Sequence, residues 1–594
     1  MNRAPLIAKG AALAAAVFAA YYPSFHAGFI WDDDTFFTRN PLMTAPDALR
    51  RFWMTAEAPD YFPLVSTVLW VQRQLWGLDP LGYHLVNIGF HALNGVLFWR
   101  ILERLAVPWA WWAGLAYALH PVQVESVAWA TQIKNVQSTF FYLLAICFYL
   151  RHEARLKLRD YFLSWFLFLL ALLSKTSVVM LPVILVLFHW WKGGLSVGAV
   201  LRRTAPFFFL SGILAATTLW FQYHNAGARG PEWSLGFLER LVNAGHSAGF
   251  YLLKLFAPIN LTFVYPRWSF DPSHWTAWLP HLGWTILGVL LFMKRHSWGR
   301  PAIFGLGYFL ISLFPVLGFF NIYFMLYSFV ADHWQYVASQ GIIALTVAGL
   351  SRGHEALFGG RVGKTCAAVG MGLVVVALAF LTWNQQAIYQ NNVVLWQDTL
   401  TKNPRAWIAH NSLGNEWELA NNLEQAVGHY RQVLRIKPDY APAEDNLGLA
   451  LLKLGRAEES ESHFRNAIRL DPSLWQAHNN LGMVLARRGR MDEAVRHFEE
   501  ALKLNPDDAG AHNNLGLILD GYGRYREALE HFRLALSDPA NRHQVHNNIG
   551  ALLYDLGRVE EAAAYFRKAL EIKPDFDPAR MNLERAEKSQ AKAD

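Results

Sequence analysis

The chain has 594 residues, 53% apolar and 15% aromatic, a composition that excludes an ordinary soluble protein, while its C-terminal third is too rich in Glu, Arg, Lys and Asn for a pure membrane bundle. The formal charge of +7 would suit nucleic acid, but the positive residues of the first part sit in short loops between apolar runs, the pattern that orients a membrane protein. Two regions in different solvents follow, with a boundary near Trp383, and Cys147 and Cys366, far apart in apolar stretches, argue against a disulfide framework.

In chain order, Met1 to Tyr22 places Arg3 and Lys9 before an Ala-rich run and reads as an uncleaved first span, with a cleavable signal peptide as the alternative. Apolar runs follow at 83–103, 108–119, 136–150, 161–173, 177–191, 204–222, 276–293, 301–319, 334–350 and 365–383. With the first they make about eleven crossings of roughly 30 Å of hydrocarbon. The connections 151–160, 192–203, 294–300 and 351–364 hold dense Lys and Arg, which places them in the cytoplasm. The alternate connections then face outward: the loop from Ser24 to about Gly82, and 120–134, 174–176, 224–275 and 321–333. A helix-like run from Leu238 to Pro258 reads as lying in or re-entering the membrane.

From Trp407 the sequence repeats every 34 residues, as in His478-Asn479-Asn480-Leu481-Gly482 and His512-Asn513-Asn514-Leu515-Gly516. That period is the tetratricopeptide signature. Small residues recur where paired helices approach (Ala426, Ser460, Ala494, Ala528, Ala562), and aromatics four later (Tyr430, Phe464, Phe498, Phe532, Phe566). The organisation is an all-α chain: a polytopic membrane helix bundle over 1–385, a linking helix with the character of a degenerate repeat at 386–406, five repeats forming an α-solenoid over 407–576, and a capping helix at 577–594. Asn446, Asn480, Asn514, Asn548 and Asn582 form a ladder of side-chain amides. It is read either as an acceptor-binding site for an extended peptide or as helix packing.

Candidate chemistry begins after the first span. In Phe29-Ile30-Trp31-Asp32-Asp33-Asp34, three adjacent carboxylates repel one another, so at least one has a raised pKa unless a cation sits among them. A base for an acceptor hydroxyl or a metal cluster on a diphosphate would both use such a triplet; a solvated loop with a helix cap is the plain alternative. His120, Glu125, Lys134, Lys175, Lys254, Asp332 and His333 stand at the outer ends of apolar segments, where ionisable groups are costly. Lys134 and Lys175 suit a lipid phosphate leaving group. The sequence has no nucleotide P-loop, Gly-rich dinucleotide fingerprint, Zn-type Cys/His spacing or Ser nucleophile elbow, which disfavours a nucleotide-powered pump.

The acidic motif, with Tyr61-Phe62-Pro63-Leu64, Leu75-Trp76-Gly77-Leu78-Asp79-Pro80, Tyr83-His84-Leu85-Val86-Asn87, Ala118-Leu119-His120-Pro121, Glu125-Ser126-Val127-Ala128-Trp129, Ser174-Lys175, Ala331-Asp332-His333-Trp334-Gln335-Tyr336 and the repeats, resembles the transmembrane and tetratricopeptide repeat-containing proteins and their bacterial relatives. That family is similar to the protein O-mannosyltransferases and belongs with the GT-C glycosyltransferases. The resemblance implies an inverting transfer of a sugar, mannose or another hexose, from a polyprenyl-phosphate carrier to Ser or Thr of a protein acceptor held by the repeats. It makes Asp32 or Asp33 the general base and Glu125 the second acid, with Asp34 completing the motif. Lys134, Lys175, His333 and Lys254 would bind the donor phosphate, and His84, His120, Asp332 and Tyr336 would line the cleft. His333 and Asn135 stand where the relatives carry Arg and an acid, which alters donor recognition.

The resemblance further implies catalysis without a metal, with a divalent ion as the disfavoured alternative, and the short chain with repeats of bacterial type suggests a bacterial inner membrane, with cleft and repeats on the periplasmic face. Nucleic acid is not expected as a partner. The rival readings are a transferase for a lipid or polysaccharide acceptor, and a non-catalytic membrane-anchored scaffold that works through its repeats.

Overall fold

Helices and turns make up the regular structure of the residues described by the computed structural model, 4–357 and 361–593, with no strand among them. The part of the 351–364 connection at 358–360 lies outside the described residues. The chain divides into two units, 1–406 and 407–594.

Each apolar run of the first unit forms a helix. Pro80–Arg104, Ala130–Arg155, Val197–His224, Trp275–Met293, Gly299–Val316 and Thr365–Tyr389 are long and apolar enough to cross a membrane, and Ala4–Ala20 and Thr176–Lys192 are shorter apolar helices. The run at 108–119 corrects the expected span: its helix, Ala110–Ala118, has nine residues and a length of about 13 Å, under half the hydrocarbon thickness. The chain then continues through buried turns to Gln132. Irregular backbone at membrane depth is tolerated only when enclosed in protein, as here.

The segment 238–258 becomes the helix Phe237–Phe256. Ala244, Ala248, Tyr251 and Leu255, spaced four, three and four apart, pack one face onto Phe309 and Leu313, while Leu253 and Phe256 are exposed. This helix is not among those apolar enough to cross. Elsewhere the bundle closes through small residues, as membrane helices do: a Cβ on Gly114 would lie 2.8 Å from the Trp99 Cβ and 3.1 Å from the Gly95 carbonyl.

The linking segment 386–406 belongs to the first unit. Gln386 meets Ser24, the Gln390 carbonyl accepts from Gly28 N–H, and Lys402 and Asn403 donate to the carbonyls of Leu261 and Val264. It therefore straps the first outer loop to the 257–275 loop.

In the second unit, pairs of helices follow the 34-residue period, from Trp407–Leu419 with Leu423–Ile436 to Arg542–Asp555 with Val559–Ile572, closed by Asp577–Ala593. The repeated glycine has a steric cause: a Cβ at Gly448, Gly482 or Gly516 would sit 2.7 Å from the ring of Phe464, Phe498 or Phe532. The Asn ladder is spent on packing. Asn480 donates to Asp445, Asn514 to Asn479, Asn548 to Asn513 and Asn582 to Asn547, at 2.8–3.0 Å, and Asn446 reaches Asn411 and Asn415. Each amide staples its repeat to the one before through its N–H, in line with the packing alternative for the ladder. A second periodic contact joins the two helices of one repeat: His410 with His429, His478 with His497 and His512 with His531, Nδ1 to Nδ1 at 3.1, 3.1 and 2.8 Å.

Candidate active site

Trp31 begins the site. Its φ of +44° is a left-handed conformation that a bulky side chain rarely adopts. The strain is held from outside: its N–H donates to Asn392 Oδ1 at 2.7 Å, and its ring packs among Trp129, Phe263, Phe324, Tyr327 and Trp396. The three acids that follow then diverge. Asp32 accepts from the Thr131 hydroxyl at 2.8 Å and stands 3.7 Å from Lys134 Nζ. Asp33 is fully buried and accepts from the N–H groups of Ile30 and Thr131, both at 2.9 Å, tying two loops together. Asp34 is half-exposed, takes the Thr38 hydroxyl and pairs with Arg39 at 3.4 Å.

Only Asp32 of the three lines the cavity, whose volume is ≈ 810 Å³. Lys134, Lys175 and His333 line it too, with aromatic walls that include Trp31, Phe36, Trp129 and Trp334. Lys134 Nζ lies 4.4 Å from the centre of the Phe36 ring and 5.7 Å from that of Trp129, a cation held over π-faces. Lys175 donates to Asn135 Oδ1 at 2.7 Å. The Asn135 amide in turn contacts Gln132 Oε1, Ser126 Oγ and the His333 carbonyl. Glu125 grips His333 twice, accepting its backbone N–H at 2.9 Å and meeting Nδ1 at 2.8 Å. One end of the cavity is apolar, bounded by Phe208, Gly212, Ala215 and Leu219 of Val197–His224 and by Val183 and Phe314.

Several expected cleft residues lie behind this wall. Glu125 does not line the cavity and bears on it through its contacts with His333 and its charge near Lys175. His84 and His120 are buried and bond the carbonyls of Ala27 and Leu255. Asp332 accepts from Tyr265 OH, Tyr336 joins His91 and Asn94, and Lys254 caps the carbonyls of Ile259 and Asn260. These groups fasten loops to helices, which corrects their assignment to the cleft and to the phosphate site. Asp60, Gln132, Asn321 and Tyr327 line the cavity and were missed. Asp60 directly precedes the Tyr61-Phe62-Pro63-Leu64 motif, a signal that was available.

Burial sets the protonation of the site. It raises Asp32 above the ordinary carboxylate range, against the pull of Lys134 and Thr131. Burial and the Asp32 charge push Asp33 up to about 8 despite its two N–H bonds. Burial and Lys134 bring Lys175 down to about 7; its partner Asn135 is a neutral amide. Burial lifts Glu125 to about 8 and, with Lys175 and Lys134, holds His333 well below its usual range. His333 is thus held neutral, with Nδ1 engaged by Glu125. Among the described residues no group of three or more His, Cys, Asp or Glu side chains is placed to hold a metal ion.

Tetratricopeptide-repeat family models match residues 446–509, 489–542 and 543–576, so the chain carries tetratricopeptide repeats. Over 94 residues it is 35% identical to Protein O-mannosyl-transferase TMTC2 of Mus musculus, covering 16% of this chain and 11% of that protein. Over 519 residues it is 22% identical to Protein O-mannosyl-transferase TMTC3 of Homo sapiens, covering 74% of this chain and 52% of that protein. The chain thus spans about half the length of the human relative it matches along most of its own length. Among solved structures it resembles pilF of Pseudomonas aeruginosa, at 19% identity over 39% of this chain and 97% of that one, with a TM-score of 0.29.

Proposed function

We propose that the chain is a GT-C type membrane glycosyltransferase that moves mannose or another hexose from a polyprenyl-phosphate carrier to a Ser or Thr hydroxyl of a protein. One observation carries the reading: a single cavity joins one carboxylate, Asp32, to two lysines, Lys134 and Lys175, between aromatic walls and an apolar end. Aromatic faces suit a sugar ring, the lysines a phosphate, and the apolar end a prenyl chain.

In this reading Asp32 accepts the proton of the acceptor hydroxyl. The oxygen attacks the anomeric carbon from the side opposite the phosphate, the carbon–oxygen bond to phosphate breaks, and its electron pair leaves with the polyprenyl phosphate. Lys134 and Lys175 meet that growing charge. His333, held by Glu125, adds a neutral hydrogen-bonding ring in place of a fixed cation. Asp33 is a positioning residue. The relatives' names support a protein acceptor, and the repeats support protein binding. The basic connections favour a cavity on the outer face, and the short chain with repeats of bacterial type favours a bacterial inner membrane.

The test is intact-mass analysis of proteins from cells carrying wild type or Asp32→Asn at equal abundance. Loss of a hexose-sized mass from particular proteins is expected in the variant. Unchanged protein glycoforms would contradict a protein acceptor, and a change in lipid or polysaccharide composition instead would redirect the reaction to those acceptors.

A further inference from the structure

A second hollow in the membrane unit shares no lining residue with the cavity. It is a trough of ≈ 140 Å³ walled by five helices: Phe98 and Leu102 of Pro80–Arg104, Ile146 of Ile133–Arg155, Phe188 of Leu181–Lys192, Phe304 of Gly299–Leu313, and Ala344 to Ala348 of Ser339–Leu357. The cavity touches Ile133–Arg155 near its start, at Lys134, and the trough touches it from Leu143 to Leu150. The second hollow therefore lies toward the opposite helix ends. Gln340 and Ala348 mark its two extremes on one helix; at 1.5 Å per residue the trough is about 12 Å long, close to one leaflet of hydrocarbon.

Its outer rim is basic. Lining residues Leu105, Leu150, Trp191 and Pro301 are chain neighbours of Arg104, Arg151, Lys192 and Arg300. Three acids of this end are already engaged, Glu103 with Arg100, Glu153 with Arg203 and Asp160 with Arg151. Arg104, Arg155, Lys157, Arg159 and Lys192 have no carboxylate partner among the described residues. Arg104 instead donates to the Cys147 carbonyl at 3.1 Å and Lys192 lies over the Trp191 ring at 4.1 Å, so both cations are held beside the mouth. At the inner end Tyr308 donates to Gln340 Oε1 at 3.0 Å.

We infer that this trough is a binding site for an anionic phospholipid, one acyl chain lying along Phe98, Ile146 and Ala344 and the phosphate headgroup meeting Arg104 and Lys192. A narrow, one-leaflet slot with apolar walls takes a single chain, and the uncompensated rim selects a negative headgroup over a zwitterionic one. The site is independent of the glycosyltransferase reading.

The test is native mass spectrometry of the full chain, released from bilayers of equal phosphatidylglycerol and phosphatidylcholine. Wild type is expected to retain phosphatidylglycerol in preference, by about fivefold for each basic residue engaged. Arg104→Gln with Lys192→Gln should bring the two lipids to equal retention. Ala344→Phe, which fills the slot, should abolish retention of both while the protein keeps its elution volume and helicity; Ala348→Phe serves if Ala344→Phe does not fold. Equal retention of the two lipids by wild type, or undiminished retention in the slot-filled variant that folds, would overturn the inference.

Discussion

In the repeat unit, His478 meets His497 across two helices, and the same contact returns one repeat later between His512 and His531. The Asn staples likewise return every 34 residues, each joining partners 35 positions apart. In the membrane unit no such periodic contact stands out among the described residues: Asp32, Lys134, Lys175 and His333 reach one cavity from segments scattered over three hundred residues. The contrast separates two uses of polar groups. Periodic ones share a packing task, so losing one is a small local cost, whereas each group at the cavity wall has its own task and no substitute.

Substitutions should reproduce that contrast, and the largest effect belongs to Asp32. Asp32→Asn is expected to lower sugar transfer by about 10²–10⁴-fold with the fold intact, as loss of a general base does; circular dichroism alongside product mass checks both parts. Asp33→Ala comes next and acts on stability, because it strands the buried N–H groups of Ile30 and Thr131. At about 1–3 kcal/mol for each unsatisfied donor, thermal unfolding in detergent should show the membrane unit weakened by several kcal/mol. Asp34→Asn, outside the cavity, should leave transfer unchanged.

Two pH responses follow from protonation, with opposite signs in the two units. Lys175 loses its charge as pH rises through about 7, and the buried Glu125 carboxyl ionises near 8. Affinity for the phosphate-bearing donor should therefore fall between pH 7 and 9, read as a rising KM. In the repeats, burial lowers His429, His478 and His531, and His497 to about 4. A depressed folded pKa gives stability that is present above the unfolded value near 6.5 and is lost as pH falls through the folded one. The repeat unit should thus unfold at lower temperature at pH 5 than at pH 7.5. The smallest effect is Asn514→Ala, about 1 kcal/mol by denaturant unfolding.

How far the sequence could be read follows the same division. The 34-residue period located the repeats, because a stacked helix pair needs glycine against an aromatic ring at one place in every unit, as Gly482 and Phe498 show. Eleven apolar runs became helices, since hydropathy reports burial in either lipid or protein. It did not report length, so Ala110–Ala118 looked like a span. The site was legible as a set of polar residues at helix ends, yet His120, Lys254 and Asp332 looked no different in sequence from Lys134 and Lys175. A group that fastens a loop and a group that faces a cavity are the same residue types in the same hydropathy context, and only long-range contacts separate them. Asp32 and Asp33 make the point within one dipeptide: the left-handed turn at Trp31 sends the first into the cavity and the second into the loop beneath.

The most direct test gives the purified full chain a polyprenyl-phosphate mannose and Ser/Thr-containing peptides and measures polyprenyl phosphate released together with hexose gained by peptide. Matched release and gain by wild type, reduced at least a hundredfold by Asp32→Asn and sharply by Lys134→Gln, is the predicted result. Equal turnover by wild type and Asp32→Asn would contradict the account.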